Sequence, residues 1–232
     1  MLFRSIQIGS IDTQHKPQAK TWLYAGQWWC AIPPSIGGTW IYRLDGTTWT
    51  QTLRISTGGR RTDCWVVGDL VHILMYKGSG ANAIATLKYD PGTNTYIRWN
   101  LRPSDTNVSF PSGVESATLT VDDTGRMWVA TDAVNDIRVW WSDSPYNTWS
   151  AAITVATGIT SDDICAVTKL QGKIGVFWSN QTTGLFGFKT HNDGDSPSTW
   201  SADEIPASQS AIPGNPRSEE HTSELQSQNR IS

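Results

Sequence analysis

Thr47-Thr48-Trp49-Thr50, Ile97-Arg98-Trp99-Asn100, Asn147-Thr148-Trp149-Ser150 and Ser198-Thr199-Trp200-Ser201 each set a tryptophan in a short polar context. The four indoles recur at spacings of 50, 50 and 51 residues. The chain is rich in Trp, with 13 in 232 residues, yet abundance alone does not put four of them in phase. A period of this length marks a repeat architecture, whose units bury their apolar faces on one another.

The same order of features recurs inside each unit. A β-rich run comes first: Trp22-Leu23-Tyr24, Cys64-Trp65-Val66-Val67, Thr118-Leu119-Thr120-Val121 and Ile164-Cys165-Ala166-Val167. A turn containing Gly26, Gly68, Gly125 or Gly172 then leads into a second, more apolar run. Gly and its Asp neighbours tolerate the positive φ of tight hairpins, so each pair of runs predicts two antiparallel strands. A third strand follows at Trp40-Ile41-Tyr42, Ala85–Tyr89, Arg138–Trp141 and Leu185–Phe188. It ends in an Asp turn at Asp45, Asp90, Asp143 or Asp193, and the in-phase Trp is expected on a fourth strand.

Leu70–Met75 and Ile174–Trp178 are apolar almost throughout, as befits strands packed on both faces. No stretch of useful length has helical periodicity. The expected fold is all-β: a β-propeller of four blades, each of four antiparallel strands in about fifty residues. The blades are placed over residues 17–58, 59–108, 109–158 and 159–207. Residues 1–16 read as the remnant of a preceding blade or linker, and 208–216 as the start of a truncated next blade. Arg217–Ser227, RSEEHTSELQS, resembles a translated sequencing adapter, and 217–232 is expected to be a disordered tail outside the fold.

Net charge is −3, with no cluster of Lys and Arg, which argues against nucleic acid and anionic membranes as partners. No apolar run reaches the length of a membrane helix, and Met1–Gln7 has no signal-peptide core. Cys30, Cys64 and Cys165 have neither metal-ligand nor disulfide spacing and read as buried thiols. His15, His72, His191 and His221 share no ligand spacing, so neither a metal nor a cofactor is expected. Asn107-Val-Ser109 and Asn180-Gln-Thr182 match glycosylation acceptors.

The Asp turn before a Trp is similar to the Asp-box, S-x-D-x-G-x-T-W, of sialidase-like (BNR) propellers. Ser142-Asp143-Ser144-Pro145-Tyr146-Asn147-Thr148-Trp149 is the nearest match; it lacks the Gly and has one extra residue before Trp. His191–Trp200 is a looser version. Asp122–Thr131 resembles the turn-and-strand element of many bacterial propellers, and the whole pattern resembles uncharacterised secreted bacterial propeller proteins. The resemblance implies an incomplete arc of a six- or seven-bladed propeller, with structural Asp turns on the outer part of the blades. It also implies an extracellular or cell-surface parent, which is expected to be monomeric. An arc with unpaired end blades is expected to aggregate or fold poorly in isolation.

Propeller ligands usually bind where the innermost strands begin. The candidates there are Lys20, Arg60, Arg61, Asp63, Glu115, Asp162 and Asp163, whose charges suit a sugar acid or an acid/base pair. Solvated strand-end residues that pair with one another are the plainer reading of the same set. No catalytic residue is assigned, because the arginine–apolar–proline signature and a Tyr–Glu pair implied by the sialidase resemblance are not found. Trp29 and Trp141, each half of a doublet, are candidate sugar platforms, with packing between blades the plainer reading, whereas Trp49, Trp99, Trp149 and Trp200 are expected to pack between blades. The leading expectation is a non-catalytic module binding glycan or protein through the channel face. The alternative is a fragment of a sialidase-like glycoside hydrolase, and a third reading is a scaffold without a cleft.

Overall fold

A computed structural model describes residues 6, 18–35, 37–78 and 80–206. The expected N-terminal remnant, truncated next blade and adapter-like tail fall almost wholly outside the described residues. So do His15 and His221.

Among the described residues, sixteen strands form four antiparallel sheets, each built from consecutive strands. The first sheet holds β1 (Thr21–Tyr24), β2 (Gln27–Ile32), β3 (Thr39–Asp45) and β4 (Thr48–Ser56), in that order. The second holds β5 (Arg61–Val67), β6 (Leu70–Tyr76), β7 (Gly80–Asp90), β8 (Thr95–Arg98) and β9 (Thr106–Phe110). The third runs β10 (Ala117–Val121), β11 (Met127–Ala133), β12 (Asp136–Ser142), β13 (Ile153–Thr157). The fourth runs β14 (Cys165–Leu170), β15 (Lys173–Asn180), β16 (Leu185–Asn192).

Two sheets depart from the expected four strands. In the second, the outermost position is split: β8 pairs with the end of β7 and β9 with its beginning. The excursion between them folds inward on Arg102, a buried side chain that donates to Ile84 O at 2.6 Å and to the Thr86 hydroxyl. In the fourth, the outermost strand shrinks to one bridge between Phe188 and Glu204.

The in-phase Trp lies on a fourth strand in the first sheet alone, where Gly46 at φ 63° closes a two-residue hairpin between Asp45 and Thr48. Trp99 sits just past β8, while Trp149 and Trp200 sit in longer turns. Those turns are held by Ser150 N donating to Trp141 O (2.9 Å) and Ser201 N to Thr190 O (2.8 Å). The added turn residues delay the strand, not the indole.

Three apolar cores fill the spaces between consecutive sheets. Trp22, Trp29, Ile41, Val71, Ile73 and Tyr96 fill the first space, and Leu74, Tyr76, Leu119, Met127, Val129 and Trp140 the second. Trp128, Ala130, Ile137, Val139, Val176 and Trp178 fill the third. The period-two alternation of a strand explains this division. Ile73 and Met75 face the first sheet while Leu74 and Tyr76 face the third, and Met127–Ala130 divide in the same way. Of the in-phase Trp, Trp99 is buried, and Trp149 and Trp200 are half-buried against the second and third cores.

Candidate functional site

The residues entering the innermost strands are held by main-chain partners. Asp63, on β5, is buried; it accepts Ala19 N at 2.6 Å and Leu119 N at 2.7 Å. Ala19 leads into β1 of the first sheet and Leu119 lies on β10 of the third, so one carboxylate ties three consecutive blades together. Burial pushes its pKa up to about 7, although both amides and the Lys20 charge favour the ionised form. Desolvation is the larger effect here. Asp163, fully buried, accepts Thr160 N (2.7 Å), Gln181 N (2.9 Å) and the hydroxyls of Thr160 and Ser179. It closes the turn before β14.

The other candidates are similarly engaged. Lys20 Nζ donates to Gln18 O at 3.0 Å, and Arg60 N donates to the Thr39 hydroxyl at 3.0 Å. Arg61 lies 5.6 Å from the Tyr76 ring and donates to Tyr76 OH (3.3 Å) and Glu115 O (3.4 Å). Glu115 N donates to Asp132 Oδ2 at 2.8 Å. Asp162 is exposed on the turn, its carbonyl accepting Gln181 Nε2 at 2.8 Å. Arg61 and Glu115 are thus brought together through Tyr76, while Asp63 and Asp163 are enclosed by separate sets of donors. Asp132 belongs to the same mouth and is not among the candidates read from sequence. It receives Ser116 N and the Ser116 hydroxyl, both at 2.6 Å, and burial raises its pKa. An acid inside Met127–Ala133, a run polar elsewhere at Thr131 alone, is the signal that could have found it.

The repeat Asp side chains have different partners, within the turn for Asp90 and across to a neighbouring hairpin or blade for Asp143 and Asp193. Asp45 pairs with Arg43 at 2.7 Å, and Asp90 accepts Gly92 N at 2.9 Å. Asp143 pairs with Arg126, and Asp193 accepts Asp123 N at 3.0 Å. Among the described residues, no group of three or more His, Cys, Asp or Glu is arranged to hold a metal.

Trp29 cannot serve as a sugar platform. It is fully buried, packs edge-on against Tyr96 at 4.9 Å and donates to Tyr24 O at 3.2 Å. Its neighbour Trp28 carries the exposed face, at 50%, directly across the hairpin from exposed Leu23. Trp141 is half-buried, with the Arg126 guanidinium 4.3 Å from its ring.

Two depressions flank the third and fourth sheets. One, of about 180 Å³, opens at the end of the sheets where the innermost strands begin. Its floor is Trp178, whose indole lies over Gly187; a Cβ there would come within 2.2 Å of the ring. Its rim carries Asn180, Thr183, Asp203 and Glu204, and Phe186 beside it stacks on exposed Phe177 with ring centroids 5.1 Å apart. Asp203 is also paired with Lys189 at 2.8 Å. A glycine amid Leu185-Phe186-Gly187-Phe188 is the sequence signal for this close approach. The other depression, of about 510 Å³, lies in the turn after β12, lined by Trp141, Asp143, Asn147 and Trp149.

No family model matches the chain, and no curated protein matches it. Solved structures do. The Aleuria aurantia lectin AAL, in complex with Fucalpha1-6GlcNAc, superposes with a TM-score of 0.53 at 14% identity, over 85% of this chain and 64% of that one. A mutant of AofleA from Arthrobotrys oligospora gives 0.57 at 12%, over 89% and 66%. The GH43 endo-arabinanase of Bacillus licheniformis gives 0.51 at 10%, over 86% and 82%. The fold is a β-propeller. Its four sheets are blades, and the chain spans less than two thirds of the length of AAL and of AofleA. Identities this low show the fold and leave the chemistry to be argued from the blades themselves.

Proposed function

We propose that this chain is a non-catalytic propeller module of a secreted or cell-surface bacterial protein, binding carbohydrate in the Trp178 depression. The observation that carries the reading is the depression itself: an edge of the otherwise buried Trp178 with Leu185 and Phe186 beside it, ringed by amide, hydroxyl and carboxylate groups. Sugar rings present apolar C–H faces to such surfaces and hydroxyls to such rims. The lectin complex among the structural matches, and the GH43 enzyme beside it, make carbohydrate the natural ligand class to test.

A hydrolytic reading has less support. A glycosidase needs two carboxyl groups facing the substrate, about 5–9.5 Å apart. Asp63 and Asp163 instead turn their oxygens to main-chain amides. Asp63 ties neighbouring blades together and Asp163 closes its own turn, so the binding role moves outward on the same end of the propeller.

The test is a glycan-array screen followed by calorimetry on the hits. Glu204→Ala and Asp203→Ala should each weaken binding about tenfold, the loss of one charge-assisted hydrogen bond, without lowering Tm. Arg61→Ala should leave affinity unchanged. Retention of no glycan, or loss of binding in Arg61→Ala with the rim variants unaffected, would refute the assignment.

A further inference from the structure

We infer that the turn after β12 is a second carbohydrate site, at the opposite end of the propeller from the Trp178 depression, and that it takes neutral pyranose sugars. The site is built before any ligand arrives. Tyr146 is buried beneath the turn, its hydroxyl donating to Gly125 O at 3.0 Å and its amide to Asp143 O at 2.7 Å. Ser142 Oγ donates to Thr148 O at 2.6 Å, and Trp141 N donates to Ser150 Oγ at 3.0 Å. A hollow fixed at so many points binds without first having to be ordered.

Its walls combine what a sugar needs. Trp141 and Trp149 are half-buried indoles, and the exposed side chains of Asp143 and Asn147 stand on the rim. The Trp149 indole N–H is enclosed and has no acceptor, whereas the matching Trp200 N–H donates to Pro197 O at 3.1 Å. Trp149 also lines the hollow, so its N–H resonance reports on a ligand seated there.

Charge sets the ligand class. The cation at the site, Arg126, is stacked on Trp141 and makes two bonds to Asp143, at 2.7 and 3.2 Å. Its charge is therefore met within the protein. A sugar acid would set its carboxylate against Asp143, whose side chain is 60% exposed, while a neutral sugar finds acceptors for its hydroxyls.

The two sites are separable by indole ¹⁵N NMR of the whole chain, with resonances assigned by triple-resonance experiments. Methyl β-galactopyranoside, methyl α-mannopyranoside and N-acetylglucosamine are titrated against N-acetylneuraminic and glucuronic acids at millimolar concentration. The Trp149 resonance should shift with at least one neutral sugar. Asp143→Asn and Asn147→Ala should weaken that response about tenfold while leaving the Trp178 resonance alone. A Trp149 resonance unmoved by every neutral sugar overturns the site, and a larger response to the acids overturns the ligand class. Trp149 responding while Trp178 stays still upholds this site and counts against the Trp178 depression; the reverse overturns this one.

Discussion

Replacing Asp63 by Asn isolates the ionisation of a carboxyl group that ties three blades together. In the folded chain burial holds the Asp63 pKa up to about 7, whereas an unfolded Asp titrates near 3.9. Between those values the native state keeps a proton that the unfolded state has lost. Stability therefore falls as pH rises, by about 1.36 kcal/mol per unit at full difference. From pH 5 to pH 8 the loss comes to about 2.6 kcal/mol, most of it below pH 7. The amide of Asp63→Asn cannot ionise and resembles the protonated acid, one acceptor oxygen beside one donor. Near pH 5 the variant should thus lie close to wild type, with one of the amides of Ala19 and Leu119 less well met. By pH 8 it should have gained about 2.6 kcal/mol relative to wild type. Urea unfolding of both proteins at half-unit pH steps measures this directly, and groups common to both cancel in the difference. A difference that stays constant from pH 5 to 8 would refute the claim that desolvation outweighs the two amide bonds.

Other perturbations follow from single residues. His72 is buried, its Nδ1 3.0 Å from the Thr86 hydroxyl, and burial lowers its pKa to about 3. Unfolding below pH 6.5 takes up a proton there, so wild type should lose about 2.5 kcal/mol between pH 7 and 4.5 that His72→Leu does not lose; parallel acid profiles would contradict this. Gly187→Ala forces a methyl group into the Trp178 ring and should cost about 1–3 kcal/mol, read as a lowered Tm, and disturb the depression. An unchanged Tm would mean that the indole does not lie on Gly187. Burial raises the Cys30 thiol to about 12 and those of Cys64 and Cys165 well above the ordinary value. A disulfide reagent at pH 8 should react with none of the three until denaturant is added. Prompt native-state labelling would place at least one of them at an accessible surface.

The blades were legible because their signals are local. In-phase Trp, turn glycines and doubly apolar strands each report on a few neighbouring residues, and together they fix a four-sheet repeat. Parity was less legible. The Ala25-Gly26 turn sets Trp22 opposite Trp29, yet nothing within the hairpin says which face meets the next blade. That is why Trp29, and not Trp28, read as the open ring. The channel-mouth acids show the same limit. Asp63 and Asp163 stand at corresponding strand entries, but one bonds to neighbouring blades and the other to its own turn. Sequence reveals a carboxylate and not its partners. The Trp178 depression also needs Ala156 and Thr157 from the preceding blade, so of all its parts Gly187 alone announced it.

The most direct test of the central claim is a crystal structure of the chain with an array-selected oligosaccharide, with mass spectrometry of that sugar after prolonged incubation. An intact glycan is predicted in the Trp178 depression with its hydroxyls on Asp203 and Glu204. A shortened glycan, or one seated at the Arg61–Glu115 mouth, would contradict it.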